Sequence, residues 1–210
     1  MTTESKFNDY SRGTGNRPKF GIEYEAWLKE KCSINDLGIH RQHYSVVSKE
    51  IAGKFAASKF WQSVLKEIKN IDKTYIIKYK YPLIRDQEPK LYVKSWEYFL
   101  NKTFRKNVLN NNKFPEEPEY GWCLPPDWYV QINDIFRTTI IVKYIDGVPM
   151  LLERLRKLAS VDYVESHGEL ISRKDGYYGA HFGYCFDCVV STIEWREKTI
   201  QPIIEIQIST

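Results

Sequence analysis

The chain has 210 residues, 42% of them apolar and 28% charged, which is the make-up of a folded domain and excludes a disordered tail. No apolar run approaches the ~18 residues that a membrane helix needs, and the polar opening MTTESKFNDYSRGTGNRPKF has no apolar signal core. A cytoplasmic protein with no membrane partner is therefore expected, with its four cysteines reduced. The net charge of +4 is unevenly spread: residues 1–113 carry 22 basic and 12 acidic side chains, residues 114–210 carry 9 and 15. A basic half suits polyphosphate or nucleic acid and an acidic half suits a divalent cation, although two differently solvated surfaces would give the same counts.

In chain order, residues 1–20 read as a flexible arm and GIEYEAWLKEKCSI as a short helix. Residues 40–71 predict one long amphipathic helix, with Val47, Ile51, Phe55, Phe60, Val64, Leu65 and Ile68 at three- and four-residue steps. KTYIIKYKYPL alternates and predicts a strand broken by Pro82. SWEYFLNKTFRKNVL returns to a helical period with Ser95 as N-cap, and residues 110–128 form a long Pro/Asn/Gly loop. DIFRTTIIVKYI predicts a strand, and DGVPMLLERLRKLASV a helix with Asp146 at its cap and Pro149 in its first turn. Two short strands, DYVES and GELIS, precede a strand within KDGYYGAHFGYCFDC and a last one in PIIEIQIST. Helices first, then strands interleaved with helices, give an α+β or α/β fold: a mixed central sheet of about five strands flanked by helices.

Four segments carry residues suited to chemistry. In IIEIQIST the isoleucines Ile204, Ile206 and Ile208 share one face, so Glu205, Gln207 and Ser209 project from the other. His181, Gly183, Cys185 and Asp187 share one face of the preceding strand; Gly176 and Gly179 bracket Tyr177 and Tyr178 and permit close backbone approach. An exposed tyrosine there is a platform for a base; a satisfied histidine and a solvated outer face are the alternatives. Asp134 heads the strand that contains Arg137, an arrangement that fits a metal or phosphate site and also a plain cap. Lys94, Lys102, Arg105 and Lys106 lie on or just before one helix, where Lys94 and the helix N-terminus would favour phosphate. CFDC has CxxC spacing, but its two cysteines would point to opposite faces of a strand, and HRQH lacks the acid of a zinc-protease motif.

The order of these segments resembles the nucleotide pyrophosphokinase domain of the RelA/SpoT family, the alarmone synthetases, over about residues 45–210. The most specific pieces are DGYYGAH, against a family pattern Gly-Tyr-Arg-Ser-x-His, and EIQIST, against Glu-x-Gln-Ile-Arg-Thr. The GYYGAH form is most similar to the toxic small alarmone synthetases of toxin–antitoxin and phage-defence systems. The resemblance implies a nucleotidyltransferase-like synthetase domain behind an arm and short helix at residues 1–44. It implies pyrophosphate transfer from ATP to a ribose 3′-hydroxyl, with Mg²⁺ held by Asp134 and Glu205 and with Glu205 helping to deprotonate the hydroxyl. Lys94, Ser95, Lys102, Arg105 and Arg137 would hold ATP, while Tyr177 would stack on the acceptor base beside Tyr178, His181 and Gln207. The family's arginines are replaced at Tyr178, Thr139 and Ser209, and Tyr or Ser cannot supply a guanidinium's fork to phosphate. An acceptor without a 5′-polyphosphate, the 3′-terminal adenosine of tRNA, is therefore the leading expectation. Free guanine or adenine nucleotides come second, and a catalytically silent regulatory module third. A toxin of this kind would also need a cognate antitoxin protein or domain.

Overall fold

The computed structural model describes residues 17–85, 88–125, 127–161, 165–174 and 176–210. Most of the expected arm and the first part of DYVES lie outside these residues. Helices α1 (Ile22–Cys32), α2 (Leu37–Ala56) and α3 (Lys59–Tyr79) come first, followed by the short strand β1 (Leu91–Val93) and helix α4 (Trp96–Phe104). Helix α4 continues into a π turn, Arg105–Leu109, closed by the bond from the Asn110 amide to the Arg105 carbonyl at 2.7 Å. A loop and the single-turn helix α5 (Trp128–Gln131) lead to strand β2 (Phe136–Ile141) and helix α6 (Gly147–Val161). Strands β3 (Ser166–Ser172), β4 (Tyr178–Cys185), β5 (Cys188–Ser191), β6 (Glu197–Ile200) and β7 (Ile203–Ser209) complete the chain. No helix among the described residues is long and apolar enough to cross a membrane.

The fold is α+β, with a five-stranded mixed sheet in the order β1-β2-β7-β4-β3. Only the β2–β7 pair is parallel; it places Arg137 beside Glu205 and Thr139 beside Gln207. Strand β7 pairs on its other side with β4, antiparallel, placing His181 beside Gln207. Both β2 and β7 alternate residue by residue between buried and half-buried. Phe136, Ile140, Phe182, Ile204, Ile206 and Ile208 fill the core face, where Phe60 of α3 stacks on Tyr184 with ring centroids 3.8 Å apart. Such aromatic pairs contribute about 0.5–1.5 kcal/mol beyond the area they bury.

Three sequence expectations are corrected. The helix over 40–71 is two helices, because Ser58 turns extended and its hydroxyl accepts the Trp61 amide, starting α3 afresh. The strand expected over 73–83 is the last part of α3, which ends at Lys80 in the left-handed region. Its Ile/Tyr alternation does not match its burial: Tyr75 is buried with Ile68 and Ile71 at helical spacing, while Ile76 and Ile77 are exposed. The Tyr75 hydroxyl then reaches Asp146 at 3.3 Å. Third, GELIS belongs to one longer strand, β3, that begins at Ser166. The hairpin β5–β6 forms a separate two-stranded sheet that the sequence reading does not anticipate.

Candidate active site

Opposite the core, the sheet face gathers side chains from four separate segments. Strand β1 leads directly into Lys94, whose amide donates to the Ile135 carbonyl at 2.8 Å. That bond fixes the Lys94 side chain next to the residue heading β2, and its Nζ lies 3.2 Å from Asp134 Oδ2. Lys102, about two turns along α4, reaches the same oxygen at 3.3 Å, and Arg137 reaches it at 3.4 Å. Burial alone would raise the Asp134 carboxyl, but the charges of Lys102 and Lys94 outweigh it and hold the group below the usual carboxylate range.

Arg137 links the two carboxylates, since its Nε donates to Glu205 Oε2 at 2.7 Å. The other Glu205 oxygen lies 2.9 Å from His181 Nδ1 and accepts from Gln207 Nε2 at 3.2 Å. With its proton on Nδ1, facing Glu205, His181 leaves Nε2 as an acceptor for the Tyr177 hydroxyl 3.5 Å away. A continuous polar chain therefore runs from Lys94 and Lys102 through Asp134, Arg137, Glu205 and His181 to Tyr177. Two carboxylates face three permanent cations, so the cluster has positive charge to spare for an anionic ligand.

Two glycines shape the Tyr177 end. Gly176 takes φ +90°, which L side chains rarely adopt, and so turns the chain from β3 into β4. At Gly179 an added Cβ would lie 2.7 Å from both the Tyr177 hydroxyl and the Ile208 carbonyl, so the tyrosine lies down over bare backbone.

The remaining candidates stand apart from this cluster. Ser95 occupies the N-cap position of α4 but its side chain makes no capping bond there. Arg105 is exposed in the π turn and has none of the side-chain hydrogen bonds or ion pairs found among the described residues. Tyr178 is separated from Tyr177 by the strand's alternation and packs against the core. Cys185 ends β4 and Cys188 begins β5; burial pushes the Cys188 thiol up to about 11, disfavouring the thiolate that metal binding or disulfide exchange needs.

Arg173 was not singled out by the sequence. Its guanidinium sits over the Tyr177 ring, 5.2 Å from the centroid, and its amide donates to the Tyr177 carbonyl across the β3–β4 turn. Its place just before the Gly-Tyr pair was the available signal.

For a hard cation, the donor set fits. Asp134 Oδ1 is buried with no hydrogen-bond partner, and Glu205 stands on the neighbouring strand. Magnesium is commonly bound through one or two carboxylates, with water and substrate phosphate completing its shell.

Acidification provides a test of this electrostatic arrangement. Because the Asp134 carboxyl is held low in the folded state, it contributes stability above its unfolded pKa and loses it as pH falls through the lowered value. Thermal melts from neutral pH to below about pH 4 are expected to fall less steeply for Asp134→Asn than for the parent chain. Parallel melting curves over that range would show that the ion pairs do not stabilise the fold.

No protein-family model matches the chain, and no curated protein matches it. Among solved structures, the small alarmone synthetase 1 from Bacillus subtilis is similar over 74% of this chain and 69% of that one, at 16% identity and a TM-score of 0.39.

Proposed function

We propose that residues 45–210 form an ATP-dependent pyrophosphokinase domain that modifies a ribose 3′-hydroxyl, with the 3′-terminal adenosine of tRNA as acceptor. The observation carrying this reading is the single polar chain that joins Asp134, Glu205, His181 and Tyr177 to Lys94, Lys102 and Arg137. These residues come from the four segments whose order resembles the alarmone synthetases. In the reaction, the 3′-oxygen attacks the β-phosphorus of ATP and forms a new P–O bond. The bond from that phosphorus to the α–β bridging oxygen breaks, AMP leaves, and the hydroxyl proton passes to Glu205. The attacked phosphorus is surrounded by negative oxygens, so cations must offset that charge. Lys94, Lys102 and Arg137 are grouped to do so. A magnesium ion held by Asp134 and Glu205 would add Lewis-acid charge compensation. His181 and Gln207 orient Glu205, and Tyr177 offers its ring to the acceptor base.

The charge distribution favours an acceptor without a polyphosphate. Thr139 and Ser209 share the sheet face of Gln207 and Glu205 and bring no charge to the acceptor end. The lysines of α3 offer no counterargument, since that helix packs on the opposite face of the sheet through Phe60. An acceptor of this kind makes the chain a translation-blocking toxin, held in check by a cognate antitoxin. One observation favours the second reading, a free guanine or adenine nucleotide: Arg173 supplies a guanidinium beside Tyr177, where acceptor phosphates could lie.

Incubation with γ-labelled ATP, Mg²⁺ and either deacylated tRNA or a GDP/GTP mixture separates the two. Label on tRNA, lost with Tyr177→Ala, is expected. Label on the nucleotide alone, lost with Arg173→Ala, would establish the second reading.

A further inference from the structure

A second site lies away from this cluster. A cavity of about 300 Å³ is enclosed between the start of α2, helix α5 and the β5–β6 hairpin, and none of the residues of the Asp134–Glu205 cluster lines it. Its volume is at the lower end of the range for small-molecule sites. Three of its walls are aromatic, from His40, Trp128 and Tyr129, with His40 edge-on to Trp128 at 6.0 Å.

Tyr129 supplies the second observation. It is only 6% exposed, and its hydroxyl is buried with no hydrogen-bond partner. Its ring is fixed by stacking on Tyr44, 5.9 Å away and nearly parallel, so the hydroxyl cannot swing out to water. A buried hydroxyl left unpaired is destabilising, and a partner that accepts its proton would relieve that.

The charges around the cavity define the ligand further. Lys198 is paired with Asp127 at 3.2 Å, and His43 donates from Nε2 to the Ser191 carbonyl at 2.8 Å. Burial holds His40 below the ordinary imidazole value, which keeps it neutral near pH 7. Glu194 adds a carboxylate to the lining. No free cation therefore faces inward to receive an anion, which makes the cavity unsuited to nucleotide phosphates.

We propose that this cavity binds a small, planar, uncharged aromatic molecule that offers a hydrogen-bond acceptor to the Tyr129 hydroxyl. Such a ligand would bridge the hairpin and the helical layer, which otherwise meet through the His43–Ser191, Lys54–Val189 and Lys198–Asp127 contacts.

Quinoline and naphthalene test the proposal, because they share shape and differ by one acceptor nitrogen. Each is titrated into the ¹⁵N-labelled full chain and followed by NMR, with the Trp128 indole N–H as the reporter. Saturable quinoline binding is expected, with shifts centred on Trp128, Tyr129 and residues 190–194, and with affinity roughly tenfold above that of naphthalene, the worth of one well-placed hydrogen bond. Tyr129→Phe should remove that preference and leave naphthalene binding unchanged. The comparison of the two probes on the parent chain stands whether or not the variant folds. Equal affinities, shifts centred elsewhere, no saturation, or displacement of quinoline by ATP with Mg²⁺ would each overturn the proposal. None of these readouts depends on pyrophosphate transfer.

Discussion

Replacing Glu205 by glutamine is expected to lower pyrophosphate transfer by at least ~10²–10³-fold while leaving the melting temperature nearly unchanged. Glu205 accepts from Arg137, His181 and Gln207, so it is where the two ends of the polar chain meet. Glutamine retains the length and one carbonyl acceptor, so Arg137 keeps a partner. It loses the charge that would hold a cation, and it loses the base that would take the hydroxyl proton. An amide proton pointed at His181 Nδ1 would also force the imidazole into the other tautomer and uncouple Tyr177. The assay is transfer of label from γ-labelled ATP, alongside thermal unfolding. A variant that keeps transfer within tenfold of the parent would remove Glu205 from the chemistry and with it the proposed mechanism. In cells, toxicity that survives the substitution would favour a binding module over an enzyme.

A second substitution, far from the sheet, is expected to have the largest effect on stability. Asn107 is fully buried within the π turn, and its side chain makes three hydrogen bonds there. Its amide nitrogen donates to the Tyr24 hydroxyl and to the Cys123 carbonyl, each at 3.0 Å, and its oxygen accepts the Cys123 amide at 2.8 Å. These bonds attach the loop after α4 to α1. Asn107→Leu leaves two backbone groups and one hydroxyl short of partners in the interior. At ~1–3 kcal/mol for each group left unpaired, the loss is expected to be about 3–5 kcal/mol. For a chain of this size that corresponds to a fall in Tm of roughly 10 °C or more. Urea unfolding followed by tryptophan fluorescence measures it, and a loss below about 1 kcal/mol would mean that the loop rearranges to satisfy itself.

Much of the site was legible because strand alternation is a short-range signal. In PIIEIQIST the isoleucines fix which side faces inward, and Glu205 and Gln207 follow from that. The same logic places His181 opposite Phe182. Alternation misled in α3, where Ile and Tyr recur every second residue on a helix that the burial of Ile68, Ile71 and Tyr75 holds in place. The β5–β6 hairpin was missed for another reason. Its turn places Trp195 at φ 59°, where a glycine or asparagine would normally mark the reversal. The bridge from Arg137 to Glu205 depends on the parallel pairing of β2 and β7, strands separated by more than sixty residues, which no local pattern specifies. Arg173 reaches Tyr177 only because the β3–β4 turn folds back on itself. The cavity needs that unanticipated hairpin as a wall.

The strand order has a consequence for how the protein is made. Strand β7 follows every other strand in the chain, yet it sits in the middle of the sheet between β2 and β4. While residues 203–209 are still inside the ribosome's exit tunnel, a nascent chain can form α1–α4, β1–β2 and β3–β4 but cannot join them. Pairings between strands so distant in sequence form late. The same segment carries Glu205, so the nascent chain lacks that carboxylate until β7 emerges. Its sheet closes and its carboxylate pair is complete only near the end of synthesis.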